Sequence, residues 1–192
     1  MGVLVKLRNV RMAFADLWEP KAIKGGKPRY GANYIVPKDH PQVGDIRKAM
    51  EQAATEKWGP KGATILANLR EKDDVAFHEK PRTDAEGNVY DGFEGMFCVT
   101  AYSKNKQEIV DRNKAQLTEA DGKPYAGCYV NAAVEFWAQD DDNGKRINCA
   151  LGPVQFFKDG PAFAGGKKIS ANEAFDDLGD LGDEEEAGNE FL

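Results

Sequence analysis

Tyr129-Val130-Asn131-Ala132-Ala133-Val134-Glu135-Phe136-Trp137-Ala138 alternates between two faces with a period of two. Val130, Ala132, Val134 and Phe136 form an inner face, while Tyr129, Asn131, Glu135 and Trp137 form an outer one. The stretch therefore reads as a half-buried strand. Asp140-Asp141-Asp142-Asn143-Gly144 follows as a hairpin turn, because Asn-Gly favours the positive φ that tight hairpins need. The acids of this turn miss the spacing of a calcium loop. Ile147 to Phe157 returns as the partner strand, with an interruption expected at Gly152-Pro153.

Working outward, Met96 to Tyr102 reads as a further strand, with Phe97 and Val99 on one face and Thr100 and Tyr102 on the other. Gln107 to Arg112 and Val75 to Glu79 also look extended, and Thr83 to Asn88 is a polar loop. Residues 3 to 14 form a strand with Val3, Val5 and Leu7 on one face. Trp18 to Pro28, broken by Pro20, Gly25, Gly26 and Pro28, is a loop. Tyr30, Ala32, Tyr34 and Val36 share one face of the next strand. A helix is expected from Asp39-His40-Pro41 to Gly59-Pro60 on the spacing of Ile46, Met50, Ala53, Ala54 and Trp58, and a shorter one over Ala63 to Leu69. The fold class is mainly β with one substantial helix, and an OB-type five-stranded barrel with extensions is the leading architecture. A β-sandwich would show the same number of strands, and the pattern does not separate the two.

The formal net charge of −6 argues at first against a nucleic-acid partner. It is unevenly distributed. Nine of the 32 acids lie from Glu173 onward with none of the 26 Lys and Arg, which leaves residues 1–172 at +3. A basic body of residues 1–172 with an acidic arm of residues 173–192 is the charge split expected of a protein that faces nucleic acid. The arm has few apolar residues and cannot offset its own ordering entropy, so it is expected to be disordered. Cys98, Cys128 and Cys149 are widely spaced in apolar or small-residue contexts and read as buried and reduced. With His40 and His78 they make no metal-ligand spacing, and no cofactor is expected. Met1 to Lys6 lacks a signal-peptide pattern and no apolar run is long enough to span a membrane, which points to the cytoplasm.

No nucleophile elbow, phosphate-binding loop or dinucleotide fingerprint is present, and Gly59-Pro60-Lys61-Gly62 lacks the Gly-Lys-Ser/Thr ending of a phosphate loop. Instead, cations recur beside aromatics: Trp18, Lys21, Lys24, Lys27, Arg29 and Tyr30; Phe77, Lys80 and Arg82; Tyr102, Lys104 and Lys106; Lys123 and Tyr125. Trp137 adds an outward ring, and Arg112 a further cation. Cations follow the phosphates of a single strand, and rings stack on its exposed bases without demanding a sequence. A duplex hides those faces. Tyr34, Phe97 and Trp58 read as core, whereas Trp18, Tyr30, Phe77, Tyr102 and Trp137 are open between stacking and packing.

A tethered polyanion competes for a basic groove at high effective concentration. Asp183, Glu184, Glu185, Glu186 and Glu190 supply the charge, and Phe191-Leu192 supplies an apolar hook suited to replication or recombination proteins.

Val110-Asp111-Arg112-Asn113, Tyr125-Ala126-Gly127-Cys128-Tyr129-Val130-Asn131-Ala132, Phe136-Trp137-Ala138 and Cys149-Ala150-Leu151-Gly152-Pro153-Val154-Gln155-Phe156, with Gly160 to Gly166, resemble phage-encoded single-stranded DNA-binding proteins built on an OB-fold. The likeness covers residues 110 to 166. It implies coating of single strands during phage replication, recombination and repair in an infected bacterial host. The tail is similar to the acidic C-termini of bacterial and phage single-stranded DNA-binding proteins, which end in phenylalanine, but here Phe191-Leu192 stands without Pro-Phe. Two other classes stay open at this point: a magnesium-dependent nuclease or recombination enzyme, and an acidic protein-interaction module or DNA mimic. A homo-oligomer is compatible with the sequence.

Overall fold

The computed structural model describes residues 2–163 and 175–176. The strands are β1 (Val3–Lys21), β2 (Arg29–Pro37), β3 (Phe77–His78), β4 (Met96–Ser103), β5 (Ile109–Val110), β6 (Tyr129–Asp141) and β7 (Gly144–Lys158). Helices α1 (Val43–Trp58) and α2 (Gly62–Glu71) lie between β2 and β3, joined by the 3-10 turn Gly59–Lys61.

The hairpin forms as its alternation requires. β6 and β7 run antiparallel from Tyr129↔Lys158 to Asp141↔Gly144, with Val130, Ala132, Val134 and Phe136 buried. β1 pairs with β6 on one side and with β2 on the other, and β2 pairs with β4. Parallel pairing of Tyr102 with Ala150 then joins β4 to β7 and closes the ring β1-β2-β4-β7-β6. Closure decides between barrel and sandwich, because two stacked sheets would leave β4 and β7 in separate layers. The fold is an OB-type five-stranded barrel in which β3 and β5 are additions. Leu7, Met12, Tyr34, Val99, Phe136 and Ile147 fill its interior. α1 buries Ile46, Ala49, Met50, Ala53 and Ala54 and packs on β6 and β1.

β1 is longer than its alternation suggests. Three register shifts interrupt it, one between Asp16 and Lys21 against β2, and two that each insert one extra residue, between Leu7 and Val10 against β6 and between Ala13 and Asp16 against β2. Asn9 (φ 52°) and Phe14 (φ 46°) lie at these bulges. The bulges bend the strand so that one segment pairs on both sides of the barrel, and they also break the period of two. The strand consequently runs to Lys21, and the loop expected from Trp18 shrinks to residues 22–28. β7 is likewise not interrupted at Gly152-Pro153. The two residues face Ala133 in a bulge, where proline's missing N–H is tolerated. A Cβ on Gly152 would lie 2.6 Å from the Ala133 carbonyl oxygen. α1 starts at Val43 rather than Asp39, because the residues before it tie down β1: Gln42 accepts from the Arg8 N–H at 2.7 Å, and His40 Nε2 lies 3.0 Å from the Arg8 carbonyl.

The tail assigned to residues 173–192 lies outside the described residues apart from 175–176, and so do Asp183, Glu184, Glu185, Glu186, Glu190, Phe191 and Leu192. Among the described residues, no helix is long and apolar enough to cross a membrane.

Candidate nucleic-acid interface

Closure of β4 on β7 creates a cleft of about 650 Å³ on the outer surface, lined by Arg29, Tyr102, Lys104, Trp137, Arg146 and Asn148 among others. The side-chain directions follow from the ladder. Ala101 faces the core, so Tyr102 points outward, and the Tyr102–Ala150 pairing sets it opposite the β6–β7 hairpin that carries Trp137. Gly31 pairs with Tyr102, and a Cβ there would come within 2.6 Å of the tyrosine ring. Glycine thus lets the ring lie across β2. The Arg29 guanidinium stands 4.3 Å from the centre of that ring, which leaves a charged plane and an aromatic plane together at the cleft's edge. Trp137 is 40% exposed, and beside it Asn148 donates to Gln139 at 2.7 Å.

The buried floor sets two polar side chains, Thr100 and His78, among apolar Val75, Ala76, Ile147 and Cys149. Thr100 donates to Asn33 Oδ1 at 2.7 Å, and His78 Nδ1 lies 2.8 Å from Asp73. Burial lowers the His78 pKa below its ordinary value, with Arg82 and Arg146 adding to the effect and Asp73 opposing it. At the hairpin tip, a hydrogen bond from Lys145 and then one from Trp58 Nε1 hold the Asp140 carboxyl below the usual range. The acidic turn is thereby partly neutralised next to the cleft.

The first and third sequence groups meet here. Tyr30 pairs with Ser103, which places the loop of residues 22–28, with exposed Lys24 and Lys27, beside the β4–β5 connection. In that connection Lys104 lines the cleft, and Lys106 stands 5.3 Å from the half-buried Trp18 ring. Lys21 pairs with Asp16 at 2.7 Å. The second group separates. Phe77 is 1% exposed and packs edge-on against Phe97 at 5.4 Å, so it has no face to offer a base and belongs to the core. Arg82 sits 3.4 Å from His78 Nε2, whereas Lys80 lines a different depression with Arg70 and Glu79.

The fourth group is elsewhere. Tyr125 is 6% exposed, its hydroxyl donates to Asp159 at 2.6 Å, and its pKa is pushed up to about 12, first by burial and then by that bond. It fastens the chain after β7 rather than stacking. Lys123 stands over Phe156 and Arg112 over Phe157, at 4.9 and 5.2 Å. Near them Lys158 stands over Tyr129, at the end of β6 opposite Trp137. The interval from Tyr129 to Trp137 is about 26 Å at strand rise. The two ends therefore cannot serve one nucleotide.

Sequence reasoning missed Arg146 and Asn148, although Lys145-Arg146 directly after the turn is a signal that was there to read. Among the described residues, no three His, Cys, Asp or Glu gather as metal ligands. All three cysteines are buried and free, and burial raises the thiol pKa to about 12 for Cys98 and about 11 for Cys128.

Comparison with known proteins agrees with this architecture. Putative protein p50 of Acyrthosiphon pisum secondary endosymbiont phage 1 is 40% identical over 184 residues, covering 95% of this chain and 97% of its own. The single-stranded DNA-binding protein of bacteriophage Enc34, solved in complex with single-stranded DNA, superposes with a TM-score of 0.68 at 23% identity over 83% of this chain and 89% of its own. Bacteriophage T7 gp2.5, a single-stranded DNA-binding protein, shares the fold at a TM-score of 0.54 and 11% identity, covering 88% of this chain and 98% of its own. The family model described as Enterobacter phage Enc34, ssDNA-binding protein, matches residues 3–190, and the chain belongs to that family.

Proposed function

We propose that this protein binds single-stranded DNA without sequence specificity and without a catalytic step, coating strands during phage DNA replication, recombination and repair inside the infected cell. The observation that carries the reading is the outer cleft, where Arg29, Lys104 and Arg146 set cations around the exposed Trp137 ring and the half-buried Tyr102 ring on one concave surface. Cations neutralise the backbone and rings accept base faces, which is the chemistry of a sequence-tolerant single-strand site. The location also fits, because OB barrels bind oligonucleotides on the face of their second and third strands, here β2 and β4, between the first–second and fourth–fifth strand loops. Those loops are residues 22–28 and the β6–β7 turn. Family membership and a fold shared with phage proteins solved or described as single-strand binders support the same reading.

The chain divides, in this proposal, into a binding body of residues 1–172 and an acidic tail of residues 173–192. The tail occupies the groove weakly until a strand displaces it, and then recruits replication or recombination proteins. Titration of single-stranded and duplex oligonucleotides with the full chain and with a form lacking residues 176–192 tests the scheme. Tighter single-strand binding by the shortened form at fixed salt supports tail competition, and equal or weaker binding contradicts it. Magnesium-dependent loss of labelled single strand would overturn the non-catalytic reading.

A further inference from the structure

Phe14 and Tyr90, which none of the sequence groups includes, are the exposed rings of a second cleft, of about 510 Å³. Phe14 is 49% and Tyr90 36% exposed, and they meet edge to face at 4.9 Å over buried Phe93. Phe14 holds φ at 46° within the β1 bulge. A bulky side chain at positive φ is a costly conformation that persists where the surroundings enforce it, and bulges commonly re-aim a side chain at a site. Here the bulge turns an aromatic ring into solvent at a position the fold does not need for its core.

The second cleft shares a surface with the first. Asp16, which lines the second, pairs with Gly31, and Gly31 pairs with Tyr102, which lines the first. Paired residues point to the same side of a sheet, so the two clefts open on the same outer face two strand spacings apart, about 10 Å. The intervening carboxylate of Asp16 is held by Lys21 at 2.7 Å, and Asp91 also borders the second cleft. The site is therefore aromatic rather than cationic, suited to a flat, uncharged ring whose phosphates run beside the lysines of residues 21–27.

We propose that the Phe14–Tyr90 cleft is a second nucleobase-stacking site, so that a bound strand crosses β4, β2 and β1 from Trp137 to Phe14. The inference rests on the single-strand reading above and extends its path. The test is an affinity series with oligothymidylates from about 4 to about 16 nucleotides, the range of OB-fold site sizes, on the full chain and on Phe14→Gly and Tyr90→Ala. Glycine adopts positive φ without strain, so Phe14→Gly is expected to keep the melting temperature while removing the ring. Both variants should bind the shortest oligonucleotide as the wild type does and the longest about five- to a hundredfold more weakly. Wild-type affinity at every length in both variants overturns the proposal and leaves the cleft as a surface for a protein partner. Equal loss at every length with a lowered melting temperature overturns it as well, as a purely structural effect. A wild-type chain that binds no oligonucleotide removes the single-strand reading itself, whereas the first two outcomes leave that reading standing.

Discussion

Trp137 combines a large ring, partial exposure and a place beside Arg29 and Tyr102, so it is the side chain whose removal separates binding from folding most cleanly. Trp137→Ala should cost about 1–3 kcal/mol of single-strand affinity, measured by fluorescence anisotropy of a labelled oligonucleotide, with a much smaller change in melting temperature. Two buried groups bear on stability instead. The Tyr34 hydroxyl is fully buried with no hydrogen-bond partner among the described residues. Leaving such a group unsatisfied costs about 1–3 kcal/mol, so Tyr34→Phe should raise the melting temperature and leave affinity unchanged. His78 has a folded pKa below its ordinary value of 6.5, mainly through burial. Below that value the unfolded chain takes up a proton more readily than the folded one, so this contribution to stability is complete above pH 6.5 and is lost as pH falls toward the folded pKa. His78→Gln should flatten the fall in denaturation midpoint between neutral and mildly acidic pH.

At the scale of elements, the loop of residues 22–28 presents Lys24 and Lys27 on the rim of the proposed path. If both contact phosphate, replacing them with alanine should reduce the slope of log affinity against log salt by roughly 1.4, since each single-strand phosphate contact releases about 0.7 counterion. An unchanged slope would place the loop off the strand's path. How far these elements could be read in advance depended on whether their alternation was intact. β6 keeps a period of two as far as Trp137, and its buried face follows from residue type alone, whereas β2 is buried on both faces from Gly31 to Val36, with Ala32, Tyr34 and Val36 inside the barrel and Ile35 against Phe93 outside it. β1 hides its last third behind the bulge at Phe14, because one inserted residue reverses which positions face inward. The same inserted residue concealed the second aromatic cleft, which no local spacing announces. Phe77 and Tyr125 erred for a related reason: beside Lys80, Arg82 and Lys123 they looked accessible, yet two-residue β3 and the contact to Asp159 turn both rings inward.

For the molecule as a whole, the first cleft joins Arg29, Tyr102 and Trp137, residues far apart in the chain that are brought together only when β4 pairs with β7. Composition could indicate a basic, aromatic body, but it could not say which groups meet, and it merged the Tyr129–Lys158 end of the barrel with the Trp137 end. Charge acts at this scale too, since a net −6 chain carries a body of +3. Removing residues 176–192 should therefore strengthen single-strand binding and speed association at low salt, measurable by stopped-flow. The central claim is that the outer face of the barrel is built for exposed bases, not for paired ones. Equilibrium titration of the full-length protein with single-stranded and duplex DNA of equal length, at one salt concentration, tests it most directly. The account predicts saturable binding of the single strand and markedly weaker binding of the duplex; equal or stronger binding of the duplex would contradict it.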